Sequence, residues 1–274
     1  MTSAIDWTGR VGQSWASEWH RTDRSFAGLT PHLDAAILAS APATPFRAID
    51  IGCGAGSTSL ALATARPDAS VTGIDLSPDL LAVAGRRGAG RPNLAFRHGD
   101  AATIAHTLPP PDLLVSRHGV MFFADPAPAF AALRKACRPG ATLVFSCFRD
   151  RADNPWASDL IEQVTGTRPS PSSGYAPGPF GFADPAIAHD ILAQAGWSVD
   201  HPARIDFAYI AGAGDEPVAD AAAFFHHIGP LASALKQATD RDALDAWLKA
   251  VLERYRVDTT VAFPASAWIW RACA

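Results

Sequence analysis

The chain has 274 residues, 48% of them hydrophobic and 18% charged, with a net charge of −4 and a pI near 6.1. That length fits one large α/β domain with an elaboration, and the acidic balance with scattered arginines argues against a nucleic-acid partner. Four cysteines without C-x-x-C spacing, no signal-like start at Met1–Asp6 and no apolar run near the ~20 residues that span a bilayer predict a cytoplasmic protein without a membrane partner.

Residues 7–24 hold Trp7, Trp15 and Trp19 among polar residues, and Trp15 and Trp19 fall on one face if this segment is helical. Pro31 opens a second helix that runs to Ser40. From 47 to 148 short apolar runs alternate with alanine-rich helical runs, the pattern of a parallel doubly wound sheet. Strands are predicted at 47–51, 70–75, 94–98, 112–116 and 141–148. The intervening helices fall near 57–66, 78–87 (capped by Ser77) and 126–137 (capped by Asp125). Residues 149–183 break this rhythm with five prolines, among them Pro171, and read as a long loop carrying Trp156, Tyr175, Phe180 and Phe182. A helix follows from Asp184 to Ala195 with Gly196 at its end, then a strand within 197–210. Two helices, 218–236 and 240–256, precede a final strand at 267–271.

The first predicted strand runs into Asp50-Ile51-Gly52-Cys53-Gly54-Ala55-Gly56, and a helix starts at once behind it. Glycine permits the tight turn and lets a ligand touch bare backbone, while the helix start offers free N–H groups. Two further acids close the next two strands, Asp75 after Gly73-Ile74 and Asp100 after Gly99. A carboxylate at the second strand's end suits ribose hydroxyls. The dinucleotide fingerprint G-x-G-x-x-G has its third glycine where this chain has Ser57.

These motifs, with Arg138-Pro139-Gly140 before the fifth strand, resemble the class I S-adenosylmethionine-dependent methyltransferases. Within that superfamily the chain is similar to the small-molecule branch that includes ubiquinone/menaquinone methyltransferase-like domains, from about Trp7 to Arg149. The resemblance implies an α/β, Rossmann-like doubly wound sheet of seven mostly parallel strands, with an antiparallel final strand and a helical cap. It implies a single domain: a helical lid over 1–46, a cofactor-binding core over 47–148, the aromatic loop 149–183, and a C-terminal part 184–274 with its cap at 215–256. S-adenosylmethionine is the implied cofactor. Gly52, Gly54 and Gly56 would line its methionine and ribose, and Asp50 would brace the loop and reach the amino group. Asp75 would take the ribose hydroxyls, Leu76 would flank the adenine, and Asp100 with the Ala101 N–H would meet its amino group. Arg117 and His118, after the fourth strand, would border the methyl group.

Methyl transfer from a sulfonium requires alignment and water exclusion, with a general base only if the acceptor's reacting atom carries a proton. His118 is the base candidate, and no metal cluster is predicted. Trp15, Trp156, Tyr175, Phe225 and His226 are the candidate lining of an apolar pocket for a small-molecule methyl acceptor. Two other readings stay open: a nicotinamide-dependent oxidoreductase, and a non-catalytic binding protein on the same scaffold. The sequence leaves the oligomeric state and the atom methylated open.

Overall fold

A computed structural model describes residues 7–170, 174–237 and 240–274. The start at Met1–Asp6 and Pro171 lie outside the described residues.

Five parallel strands form the heart of the molecule: β1 (Arg47–Ile51), β2 (Ser70–Asp75), β3 (Leu94–His98), β4 (Leu113–Arg117) and β5 (Thr142–Phe148), in the order β3-β2-β1-β4-β5. The reversal between β1 and β4 opens a crevice at the strands' C-terminal ends, where α/β sheets bind ligands. β5 is buried at every residue, as expected of a strand covered on both faces, whereas the edge strand β3 is largely exposed. The long strand β9 (Thr260–Cys273) pairs antiparallel with β5. On its far side it pairs with β6 (Ser198–Val199) and then β7 (Ala203–Ala213), so the path β3-β2-β1-β4-β5-β9-β6 has seven strands. β8 (Arg256–Val257) adds a short turn to β9.

β9 is longer than the five residues predicted. Its first half, with β7, projects beyond the end of β5 as a two-stranded ribbon. The Pro217–His227 helix packs on this ribbon at Gly212, where a Cβ would meet the Pro217 carbonyl and the Ala221 amide. Only glycine permits that approach.

Local signals explain most boundaries. Ser77 accepts the Leu80 N–H at 3.2 Å and Pro78 opens the Pro78–Arg87 helix. Gly196, in the left-handed region, ends the Pro185–Gln194 helix, with the Trp197 N–H returning to the Leu192 carbonyl. Asp125 sits at the cap position of the Pro126–Ala136 helix but makes no side-chain cap bond. Two predictions are corrected. The 149–183 segment is not a continuous loop: Asp159–Thr165 is a helix burying Leu160, Ile161 and Val164, an apolar set hidden in sequence by the surrounding prolines. The helix expected over 218–236 is two, Pro217–His227 and Leu231–Gln237, broken where Gly229 turns into the left-handed region before Pro230.

Candidate active site

The C-terminal ends of β1, β2 and β4 surround a cavity of about 250 Å³, roofed by the N-terminal helices Arg10–Ser17 and Trp19–Ser25. Its floor is the glycine loop after β1. Gly52, Gly54 and Gly56 all have positive φ, 62°, 54° and 82°, which bends the chain sharply into the Ser57–Ala65 helix. Gly52 and Gly54 line the cavity. Gly56 does not: a Cβ there would meet Phe96 and Ala84, so it packs the loop against the protein behind it.

Asp50 is buried at the end of β1. Its Oδ2 accepts the Ser59 hydroxyl at 2.6 Å, while Oδ1 has no partner. Burial pushes this carboxyl up to about 7, against the opposing pull of the Ser59 bond and the Arg117 charge. Asp75 accepts two backbone N–H groups, Gly54 at 2.7 Å and Ser77 at 2.8 Å, and burial raises its carboxyl against those bonds. Leu76, Asp100 and Ala101 line the same end, where Asp100 Oδ1 also accepts the Ala102 N–H at 2.8 Å and caps a short helix.

β4 delivers Arg117 and His118 to the opposite side. Arg117 pairs with Asp23 of the roof at 2.6 Å, and Arg87 holds the other oxygen of Asp23 at 2.7 Å. The roof is therefore latched to both the loop side and the β4 side. His118 has φ 62°, rare for a non-glycine residue, and is buried with its ring 4.7 Å from Phe26 and 4.3 Å from Phe148. Its Nδ1 contacts the Ser146 hydroxyl at 2.9 Å, and its Nε2 has no partner. Burial, reinforced by the Arg117 charge, holds the imidazole well below its usual range, so it is neutral near pH 7.

Among the described residues, three cavity-lining residues carry buried, unpartnered side-chain atoms: Asp50 Oδ1, His118 Nε2 and Thr22 Oγ1. Each such atom costs about 1–3 kcal/mol when left unpaired, so the arrangement favours a ligand that satisfies them.

Trp15 and Trp156 line the cavity, but the other three expected lining residues do not. Tyr175 lies behind it, its hydroxyl donating to the Phe123 carbonyl at 2.5 Å. Phe225 turns to Phe263, and its neighbour Phe224 faces the cavity instead. His226 pairs with Asp245 at 2.7 Å on the outer surface of the cap. Adjacent helical residues point apart, and sequence alone left the phase of this helix unset. Phe26, Phe148 and Tyr209 are lining residues that sequence reading missed. Phe148 ends the predicted fifth strand, a signal of the same kind as Arg117 after the fourth. Tyr209 comes from the ribbon and carried no such signal.

Comparison with known proteins agrees with this architecture. A family model described as "Methyltransferase domain" matches residues 49–145. The trans-aconitate 2-methyltransferase of Methylobacterium nodulans is 34% identical over 134 residues, 48% of this chain and 50% of that protein. The protein of the same name from Methylobacterium radiotolerans is 33% identical over 171 residues, covering 61% and 64%. The ubiquinone biosynthesis O-methyltransferase of Methylococcus capsulatus is 38% identical over 103 residues, covering 36% and 42%. The chain thus spans about half the length of the curated relatives it matches. In fold it is similar to the precorrin-6y C5,15-methyltransferase of Geobacter metallireducens, with a TM-score of 0.50 at 12% identity over 88% of this chain and 87% of that one. It is also similar to a structure described as the conversion of a disulfide bond into a thioacetal group during echinomycin biosynthesis, with a TM-score of 0.56 at 20% identity, covering 89% and 80%.

Proposed function

We propose that this chain, whose residues 49–145 match a methyltransferase-domain model, is a class I enzyme that transfers a methyl group from S-adenosylmethionine to a small molecule. The observation that carries the reading is the placement of Asp50, Asp75 and His118 around one cavity, with Asp50 Oδ1 and His118 Nε2 buried and unpartnered.

The residues present fit that cofactor. Gly54 carries open space where a Cβ would stand, so a ligand can lie against bare backbone. Asp50 Oδ1 is free to hold a cationic amino group, Asp75 stands where ribose hydroxyls would be gripped, and Leu76, Asp100 and Ala101 border the adenine end. Bound there, S-adenosylmethionine supplies an electrophilic methyl carbon on a sulfonium, which departs as the neutral thioether of S-adenosylhomocysteine. The roof helices exclude water, so that orientation can carry much of the rate. With Nδ1–H donated to Ser146, His118 Nε2 keeps a lone pair for the acceptor's hydroxyl and takes its proton as the new carbon–oxygen bond forms.

We place the protein in the cytoplasm, a reading supported by four unpaired cysteines, Cys53, Cys137, Cys147 and Cys273. No helix among the described residues is long and apolar enough to cross a membrane. The net charge of −4 argues against a nucleic-acid substrate.

Calorimetric titration with S-adenosylhomocysteine and, separately, NAD tests the cofactor. Binding of the first alone is expected; binding of NAD alone would end the methyltransferase reading. Methyl release from labelled cofactor across phenols, amines and carboxylates then tests catalysis. Trans-aconitate, which names several relatives, enters that panel as the anionic acceptor.

A further inference from the structure

We infer that the acceptor is an uncharged planar aromatic molecule carrying one hydroxyl, bound between the cofactor end of the cavity and the ribbon. This rests on the methyltransferase reading above.

The strand order divides the cavity. Asp50 and Asp75 lie at the ends of β1 and β2 and Asp100 follows β3, so on that reading the nucleoside would take that side. What remains lies beyond β4 and β5, toward β7. That half is walled by Phe26, Phe148, Trp156, Tyr209, Phe224 and Ile228. Trp156 and Tyr209 stack face to face, with ring centroids 4.7 Å apart and planes within 7°. Phe148 abuts Trp156 at 5.0 Å, and Phe26 stacks on Phe148 at 5.7 Å. Flat rings of this kind favour a flat apolar guest over a branched or hydrated one.

Among the described residues, no lysine and no unpaired arginine lines this side. The one arginine that lines the cavity among the described residues, Arg117, is committed to Asp23 and lies over the Phe26 ring at 5.2 Å. His118 is held neutral by its surroundings. The residues outside the described set, Met1–Asp6, 171–173 and 238–239, include no lysine, arginine or histidine. A carboxylate taken into this half would be buried without a cationic partner, which is strongly unfavourable. The unpartnered polar atoms His118 Nε2 and Thr22 Oγ1 instead suit a neutral hydroxyl, the first able to accept its proton and the second to donate to its oxygen.

The test uses the full chain saturated with S-adenosylhomocysteine, whose own affinity is measured first. 2-Naphthol and trans-aconitate are then titrated separately, followed by tryptophan fluorescence and calorimetry. 2-Naphthol is expected to bind at least about tenfold more tightly, a difference of about 1.4 kcal/mol. Ile228→Arg, which sets a cation in the aromatic wall, is expected to erase that preference while S-adenosylhomocysteine affinity and the circular dichroism spectrum are kept. Tighter binding of trans-aconitate, no measurable binding of 2-naphthol, or an unchanged preference in a folded Ile228→Arg protein would overturn the inference. Failure of S-adenosylhomocysteine to bind at all would instead remove the cofactor reading on which it rests.

Discussion

The Asp75 carboxylate reaches back from the end of β2 to the Gly54 amide, accepting its N–H at 2.7 Å. Its other oxygen takes the Ser77 N–H at 2.8 Å, so one side chain ties the glycine loop to the start of the next helix. This Asx turn of Asp75 and the site role proposed for the same residue are compatible: the bonds that shape the turn also hold the carboxylate at the cavity.

Replacing Asp75 by alanine should weaken S-adenosylhomocysteine binding by about 1.5–3 kcal/mol, the worth of hydrogen bonds to a charged group. It should also lower the melting temperature, because the Gly54 and Ser77 amides lose their acceptor. Calorimetry separates the two effects. A lower melting temperature with an unchanged dissociation constant would leave Asp75 as a purely structural residue.

If Asp50 holds the cofactor's amino group as proposed, binding is linked to a proton. Its buried carboxyl titrates near 7 in place of 3.8. The unfolded chain therefore releases this proton at lower pH than the folded one. The folded state draws stability from Asp50 below about 3.8 and loses it as pH rises through about 7. An ammonium group placed beside Oδ1 favours the ionised form, so binding near pH 6.5 should release a proton. Binding enthalpies measured in phosphate and in imidazole buffer should differ, and the difference should vanish in Asp50→Asn. Equal enthalpies in the two buffers would refute the pairing.

Two glycines of one loop should fail differently when given a methyl group. At Gly52 a Cβ would stand 3.0 Å from the Gly119 Cα, backbone against backbone, on top of an unfavourable φ. Gly52→Ala should chiefly destabilise the fold. At Gly54 a Cβ meets nothing within 4 Å, so the folded protein bears only the left-handed conformation, roughly 1–2 kcal/mol. Gly54→Ala should retain most stability yet lose cofactor affinity, because its methyl points into ligand space. Thermal melts paired with S-adenosylhomocysteine titration would show the split, and an unimpaired titration in Gly54→Ala would contradict it.

What sequence reading reached and what it missed follow from the range of the interactions. Strands β1, β2 and β3 match the predicted spans because glycine, proline and aspartate punctuate them locally. The Asp159–Thr165 helix escaped because its apolar spacing lies between segments rich in helix breakers. Phe224 and Phe225 are indistinguishable until the ribbon fixes which helix face is inward. The latch joining Asp23 to Arg87 and Arg117 spans 64 and 94 residues, and nothing in the local pattern of either partner announces it.

That latch supports a fourth expectation. Asp23→Ala leaves two partly buried guanidinium groups without their shared carboxylate and removes the ion pairs that tie the roof to Arg87 and Arg117, leaving the stacking of Arg87 on Trp19. The sheet beneath does not depend on it. S-adenosylhomocysteine should dissociate faster, with affinity reduced about 5-fold, the scale of the roughly 1 kcal/mol that a partly exposed ion pair contributes. The main unfolding transition should move little. Stopped-flow release that matches the parent protein would show that the roof's other ties, Arg21 and Arg24 to Asp220 and Trp7 against Phe122, hold it without the latch.

His118 offers the sharpest separation of chemistry from binding. Its backbone sits at φ 62°, so His118→Asn, which tolerates that conformation, removes the imidazole with least disturbance. If Nε2 takes the acceptor's proton, turnover should fall about a hundredfold or more at unchanged S-adenosylhomocysteine affinity. The pH dependence supplies a second readout. Burial depresses this imidazole well below 6.5, so between its folded value and 6.5 the unfolded chain binds a proton that the native site refuses. Stability from His118 is therefore present above about 6.5 and lost as pH falls, and the Asn variant should lose less stability on acidification. The same depression keeps Nε2 unprotonated across pH 6–8, so kcat should show no acid limb centred near 6.5. Unchanged turnover in a folded His118→Asn protein would remove His118 from the proton transfer, whereas an acid limb in the parent protein that the Asn variant abolishes would keep the role and overturn the depression.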